Sequence, residues 1–293
     1  MSLHRPLRVL CIGGHPADTF DSAGGTLAHH VQNGDEVTVV ALTAGTRIHD
    51  VVISDTLRFE ERIPDAENLT ALMAERAQVK EDEVRRACAF LGITDVRFFG
   101  YDDAVLTLGE ELILRMAALI REVRPDVIVT HHPNELGEYG NHHTMTAQLV
   151  LNGIGAAHGV GMGDPNPPHR VAQVFFTTSA LVMPSNALSA PLHWYPDRIV
   201  DITDVVEAKV RALDAMRSQQ YGGDYARKTI EMVDGAMGSV GGVAYGEGFV
   251  TYRPEVSRLF PVSEWLLQRA VESEADLMHR RSRIIAATLD LPD

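Results

Sequence analysis

Short apolar runs alternate with longer stretches in which apolar positions recur every three to four residues, and this alternation organises the first half of the chain. Val9-Leu10-Cys11-Ile12 reads as a buried strand, followed by a helical pattern from about Asp18 to Asn33 that Gly34 stops. The β-branched run Glu36 to Thr43 predicts a second buried strand. Weak periodicity to about Asp65 predicts a long loop or irregular helix. Leu69, Leu72, Met73, Val79 and Val84 then set a helix from about Asn68 to Leu91, with Gly92 as its C-cap. Val96 to Phe99 and Val127 to Thr130 read as strands around a helix from Glu110 to Val123, which Arg124-Pro125 ends. Strand and helix alternating in this way predict an α/β fold with a mostly parallel sheet and helices on both faces.

The second half is less regular. Gly153 to Pro168 reads as a Gly/Pro-rich connector, Val171 to Phe176 and Arg198 to Ile202 as strands, and Asp204 to Gln220 and Ser263 to about Ala287 as helices. Six glycines between Gly235 and Gly248 predict a mobile loop near the site or at an interface. The Trp265 helix is expected to pack on the core or to form an oligomer face. The expected organisation is one α/β domain over 1–293, with about 220–293 as a C-terminal loop-and-helix extension; its long helix and Gly-rich loop offer surfaces for a homo-oligomer.

Charge and cysteine usage narrow the function classes. Against 40 Asp and Glu the chain has 26 Lys and Arg, a net charge of −14, which argues against nucleic acid as a partner. Cys11 and Cys88 fall on a strand and a helix, so a disulfide framework is not expected and a reducing cytoplasm fits. No apolar run reaches the roughly 18 residues of a membrane span, and the N-terminus lacks the apolar core of a signal peptide. The expected partner is a small polar substrate.

The chemistry gathers at strand ends. Gly13-Gly14-His15-Pro16-Ala17-Asp18 joins the first strand to the first helix, with His15 and Asp18 three apart across its first turn. At the end of the strand Val127 to Thr130, thirteen residues from His131 to His143 carry four histidines and two glutamates. A ligand from that stretch meeting His15 and Asp18 gives two imidazoles and a carboxylate, a donor set suited to catalytic Zn²⁺ and also open to Fe²⁺ or Mn²⁺. Arg47, in the loop after the second strand, has the planar fork to hold a substrate carboxylate or phosphate.

The His15-Pro16-x-Asp18 loop, the Ala23-Gly24-Gly25 stretch, Leu42-Thr43-Ala44-Gly45 and the late His143 together resemble the LmbE-like, PIG-L-type de-N-acetylase family. So do Lys209-x3-Leu213-x2-Met216-x-Ser218-Gln219 and Tyr245-Gly246-Glu247-Gly248-Phe249. The resemblance spans about residues 7 to 250. It implies a Rossmann-like three-layer sandwich, zinc held by His15, Asp18 and His143, and hydrolysis of an N-acylated amino sugar or similar amide. The family reads His-Pro-Asp-Asp, its first Asp being the general base; this chain has Ala17 there. His142 is the nearest substitute for the family's acid-base histidine. Asp21, His49 with its neighbour Asp50, and Glu135 are the replacement bases the sequence offers.

The 4-oxalomesaconate hydratase branch of the family has an Ala in the corresponding loop, which makes a zinc-dependent lyase acting on an unsaturated keto-carboxylate the alternative expectation. A third reading is a catalytically silent metal- or sugar-binding module.

Overall fold

The computed structural model describes residues 5–60, 62–135, 142–178 and 196–285. Its centre is a parallel sheet whose strands alternate side chains between two helical layers. β1 (Arg8–Gly13) lies between β2 (Glu36–Thr43) and β4 (Val127–Thr130), and β3 (Asp95–Tyr101) flanks β2; all these pairs are parallel. The sheet continues through β5 (Gln173–Thr177), parallel to β4, and then β7 (Gly246–Thr251) and β6 (Arg198–Asp201), which pair antiparallel, giving the order β3-β2-β1-β4-β5-β7-β6.

The period of two decides the layers. Val9 and Cys11 of β1 join one core with α1 (Asp18–Gln32), α3 (Ala66–Phe90), α6 (Val206–Asp214) and α7 (Asp224–Gly241). Leu10 and Ile12 join the other with α4 (Glu110–Val123) and α5 (His142–Ala157). The strand order reverses between β1 and β4, so their carboxyl ends open a crevice where this topology places ligands.

The expected strands and helices of the first half are present, and α2 (Val51–Arg58) supplies the irregular segment with a short helix. The second half requires corrections. Helix α5 continues to Ala157, so Gly153 is helical and the connector begins later; Gly153 lets Met116 of α4 pack close. The helix expected from Asp204 to Gln220 is α6 followed by a 3-10 turn at Arg217–Gln219.

Gly235 to Gly248 is no loop: it holds the end of α7 and the start of β7. A Cβ on Gly238 would fall 2.6 Å from the carbonyl oxygen of Ala244, so its glycine serves close helix-strand packing. The extension also starts later, since β7 sits between β5 and β6 inside the sheet. The long C-terminal helix is instead α8 (Glu264–Arg269) and α9 (Glu274–Arg281), neither with a buried residue, so the Trp265 helix is not core. Ala286 and Ala287 lie outside the described residues.

A buried ion cluster ties this antiparallel half to the first helix. Lys209 Nζ lies 2.7 Å from both Glu247 and Asp234, and all three are buried. Glu247 also accepts the N–H groups of Gly25 and Thr26, each at 2.8 Å. At Gly25 a Cβ would meet Ile202 at 2.6 Å, which explains the glycine at that position of α1. Replacing Lys209 with Met strands two carboxylates in the core and should cost about 3–5 kcal/mol. Thermal or urea unfolding measures it, and an unchanged midpoint would show that the cluster does not hold the halves together.

Candidate active site

Three loops at the carboxyl ends of β1, β2 and β4 build the site. The loop from β1 into α1 places His15 beside Asp18, the first residue of the helix, and the His15 amide N–H donates to Asp18 Oδ2 at 2.7 Å. His143, in the first turn of α5, comes in from the opposite wall. His15 Nδ1, Asp18 Oδ2 and His143 Nε2 form a triangle with all three edges at 3.3 Å. Donors about 2.0–2.1 Å from a tetrahedral cation stand about 3.3–3.4 Å apart. The spacing and donor chemistry therefore fit a divalent cation.

The electrostatics agree with that fit. Burial pushes His15 down to about 4, which leaves a neutral imidazole with a lone pair for a ligand. Burial alone would raise Asp18, but His143, His15 and the hydrogen bond from His131 hold it well below the usual carboxylate range. His143 is driven up against its burial by Asp18 and Glu135. Two buried carboxylates thus draw positive charge to one point.

Glu135 and His131 complete the wall. Glu135 is buried and lies 2.5 Å from His143 Nδ1, fixing the ring so that Nε2 faces Asp18. His131 stacks on His143 with centroids 3.9 Å apart, and its Nε2 lies 2.9 Å from Asp18 Oδ2. His131, Glu135 and His143 also form a donor group, but its contacts are uneven: 2.5 Å from Glu135 to His143 and 3.6 Å from Glu135 to His131. The even triangle is the better cation site. His131 is one of the four histidines in the stretch after β4, and its place directly after the strand is the signal that distinguishes it as a site residue.

The β2 loop is locked into place. Asp103, fully buried, accepts the N–H groups of Arg47 and Ile48 at 2.9 and 2.8 Å and faces His49 Nδ1 at 3.3 Å. Burial opposes its ionisation, yet His49 and the two amides hold it well below the usual range. Lys80 donates to the His49 carbonyl at 2.7 Å from beneath. His49 is thereby held against His15, ring centroids 3.9 Å apart.

Beside the triangle lies a pocket of about 500 Å³, lined by His49, Asp21, Ser22, Gln219, Tyr221 and Tyr225 among others. Burial, helped by the Asp18 charge, pushes Asp21 up to about 6. The hydroxyls of Ser22 and Tyr221 donate to it at 2.5 and 3.3 Å.

The remaining sequence candidates lie elsewhere. Ala17 is buried in the core and contributes no polar group. His142 meets His15 edge-on at 5.6 Å but does not line the pocket. Arg47 does not line it either; its guanidinium reaches Asp102 at 2.6 Å on the surface. Asp50 lines the pocket while also capping α2 and pairing with Arg76. Gly137 to Asn141 lie outside the described residues.

Comparison with known proteins places this geometry. Residues 10–154 match the family profile described as PIG-L, GlcNAc-PI de-N-acetylase. The chain is 27% identical over 256 residues to 1D-myo-inositol 2-acetamido-2-deoxy-alpha-D-glucopyranoside deacetylase 2 of Catenulispora acidiphila, covering 73% of this chain and 80% of that protein. It is 24% identical to the 4-oxalmesaconate hydratase of Pseudomonas putida, covering 85% and 90%. Among solved structures, GalB, the 4-carboxy-2-hydroxymuconate hydratase from Pseudomonas putida, shares the fold with a TM-score of 0.68 at 22% identity, over 86% of this chain and 99% of that one.

Because Glu135 orients His143, Glu135→Gln should weaken zinc binding about 10–100-fold while the fold is retained. Competition against a chromophoric chelator reads the affinity; equal affinity in both proteins would remove Glu135 from the site's support.

Proposed function

We propose that the chain, whose residues 10–154 match the PIG-L profile, is an enzyme of that family, a zinc-dependent hydrolase removing an acyl group from an N-acylated amino sugar or similar small amide. The observation that carries this reading is the pocket lining. Among the described residues it presents Asp18, Asp21, Asp50 and Glu135, and no arginine or lysine. A neutral, hydroxyl-rich amide suits such a surface. An unsaturated di- or tricarboxylate would bring like charge to it with no arginine or lysine in that lining to meet it.

Zinc on His15, Asp18 and His143 would supply Lewis acidity, polarising the acyl carbonyl and acidifying water, and Fe²⁺ or Mn²⁺ suits the same donors. The chain's own groups move the protons. Asp21 stands one helical turn beyond Asp18 and takes over the base role that Ala17 cannot fill. Its hydrogen bonds to Ser22 and Tyr221 hold the carboxylate in place along the pocket wall. His49, with Nδ1 turned to Asp103, keeps its other ring nitrogen for the departing amine. Glu135 and His131 act by holding His143 and Asp18 in register.

A hydratase acting on an unsaturated keto-carboxylate is the second reading, favoured by the apolar Ala17 at the family's base position. The lack of an arginine or lysine among the described lining residues ranks it below the hydrolase. Among the described residues no helix is long and apolar enough to cross a membrane. The buried free thiols Cys11 and Cys88 support a place in a reducing cytoplasm.

Acetate release from N-acetylated amino sugars, set against loss of double-bond absorbance from unsaturated keto acids, separates the two readings. The wild type should release acetate, with kcat/KM falling at acid pH because Asp21 must be ionised to accept a proton; a cation on Asp18 would draw that limb below the value of about 6 that burial and the Asp18 charge set without it. Asp21→Asn should lower kcat/KM about 10²–10⁴-fold and remove that acid limb. Turnover of the keto acids without acetate release would overturn the hydrolase assignment.

A further inference from the structure

The segment following β7 carries an apolar surface that the fold leaves uncovered. Half of the large exposed apolar side chains among the described residues fall between Tyr252 and Ile284. Val256 and Phe260 are 98% and 96% exposed, and Leu259, Leu267 and Val271 are also turned outward. The segment is nevertheless fixed at both ends. It leaves the sheet at Thr251, and at its far end Arg283 pairs with Glu207 at 2.8 Å. There the Ile285 N–H also donates to the Tyr245 hydroxyl at 3.0 Å, with Ile285 itself buried. It is an anchored strap whose apolar side chains project away from the core.

We propose that this strap is the surface through which the chain pairs with a second copy of itself. Area and charge both favour that occupant. An aromatic side chain buries ~150–250 Å², and the strap exposes eleven large apolar side chains, three of them aromatic, so it offers on the order of 1,000 Å² of apolar surface. That exceeds the ~800 Å² per partner of a standard interface and the ~300–600 Å² patch that a monomer ordinarily shows.

Charge selects a copy of the same chain. The whole chain carries −14, so two copies repel through most of their surface. Residues 253–285 hold six arginines against five carboxylates, so two copies can approach along this stretch without that repulsion. Both signs within one segment also suit a two-fold contact, in which each patch meets its own copy. At the foot of the strap, Ile199, Val243 and Trp265 line a groove of about 400 Å³ beside the edge strand β6. That groove can receive an apolar side chain from the partner.

The test is sedimentation of the full chain at micromolar concentration, alone and with anionic phospholipid vesicles, for wild type and Leu259→Ser/Phe260→Ser. Both positions are exposed, so circular dichroism and the melting profile should show the variant folded. The expected result is a wild-type dimer, or a larger assembly built from such dimers, with dissociation of the strap contact at least ~10-fold weaker in the variant. A monomeric wild type, a variant that assembles as tightly as wild type, or a monomer that sediments with vesicles would each overturn the proposal.

Discussion

A single buried oxygen, Asp18 Oδ2, sets the terms for the rest of the structure. It accepts the His15 N–H at 2.7 Å and lies within 2.9 Å of His131 Nε2 and 3.3 Å of His143 Nε2. A carboxylate held out of water is expensive unless positive or hydrogen-bonding groups surround it. The fold meets that demand with groups from three segments, the β1 loop, the end of β4 and the first turn of α5. Each is fixed by a parallel strand or a helix start. The crevice at the strand reversal is thereby given both its shape and its appetite for a cation.

Holding that point steady takes more than the groups that touch it. Asp103 gathers the amides of the β2 loop, and Lys80 holds the same loop from below through the His49 carbonyl. Ser218, in the turn after α6, donates to Glu83 at 2.6 Å and accepts from Lys80 at 2.9 Å, joining the second half of the chain to the loop. Glu247 makes the corresponding join to α1. The antiparallel strands therefore support the parallel half through ion and hydrogen-bond contacts to the elements that carry the site residues.

The first half was legible because its signals are local. α4 and β4 appear over the same residues that periodicity and Arg124-Pro125 marked. His15 and Asp18 were legible for the same reason, since three residues across a helix start fix their proximity. Long-range facts were not legible. Six glycines around Gly238 suggest a loop, until the carbonyl of Ala244 arrives from another element and requires the missing Cβ. Arg47 had the right chemistry beside the right strand, but Asp102, 55 residues away in sequence, holds its guanidinium on the surface. The evenness of the donor triangle, and the role of His131 behind it, depend on how β1 and β4 pair.

Ala17 shows how the site's chemistry can move while its scaffold stays. With no carboxylate at that position, the small side chain packs into the core. After Asp18, the next carboxylate on the same helix is Asp21, and the environment there is apt for a base: burial and the Asp18 charge raise it to about 6, while two hydroxyls hold it. A base must be ionised near neutral pH yet still bind a proton, and a carboxylate in that range satisfies both conditions better than an exposed one. In the proposed mechanism the negative charge of Asp18 that would hold a cation also raises Asp21 one turn away, and the cation would oppose that rise. Cation binding and proton transfer would then be coupled through α1, and a change at Asp18 would alter the base as well as the cation site.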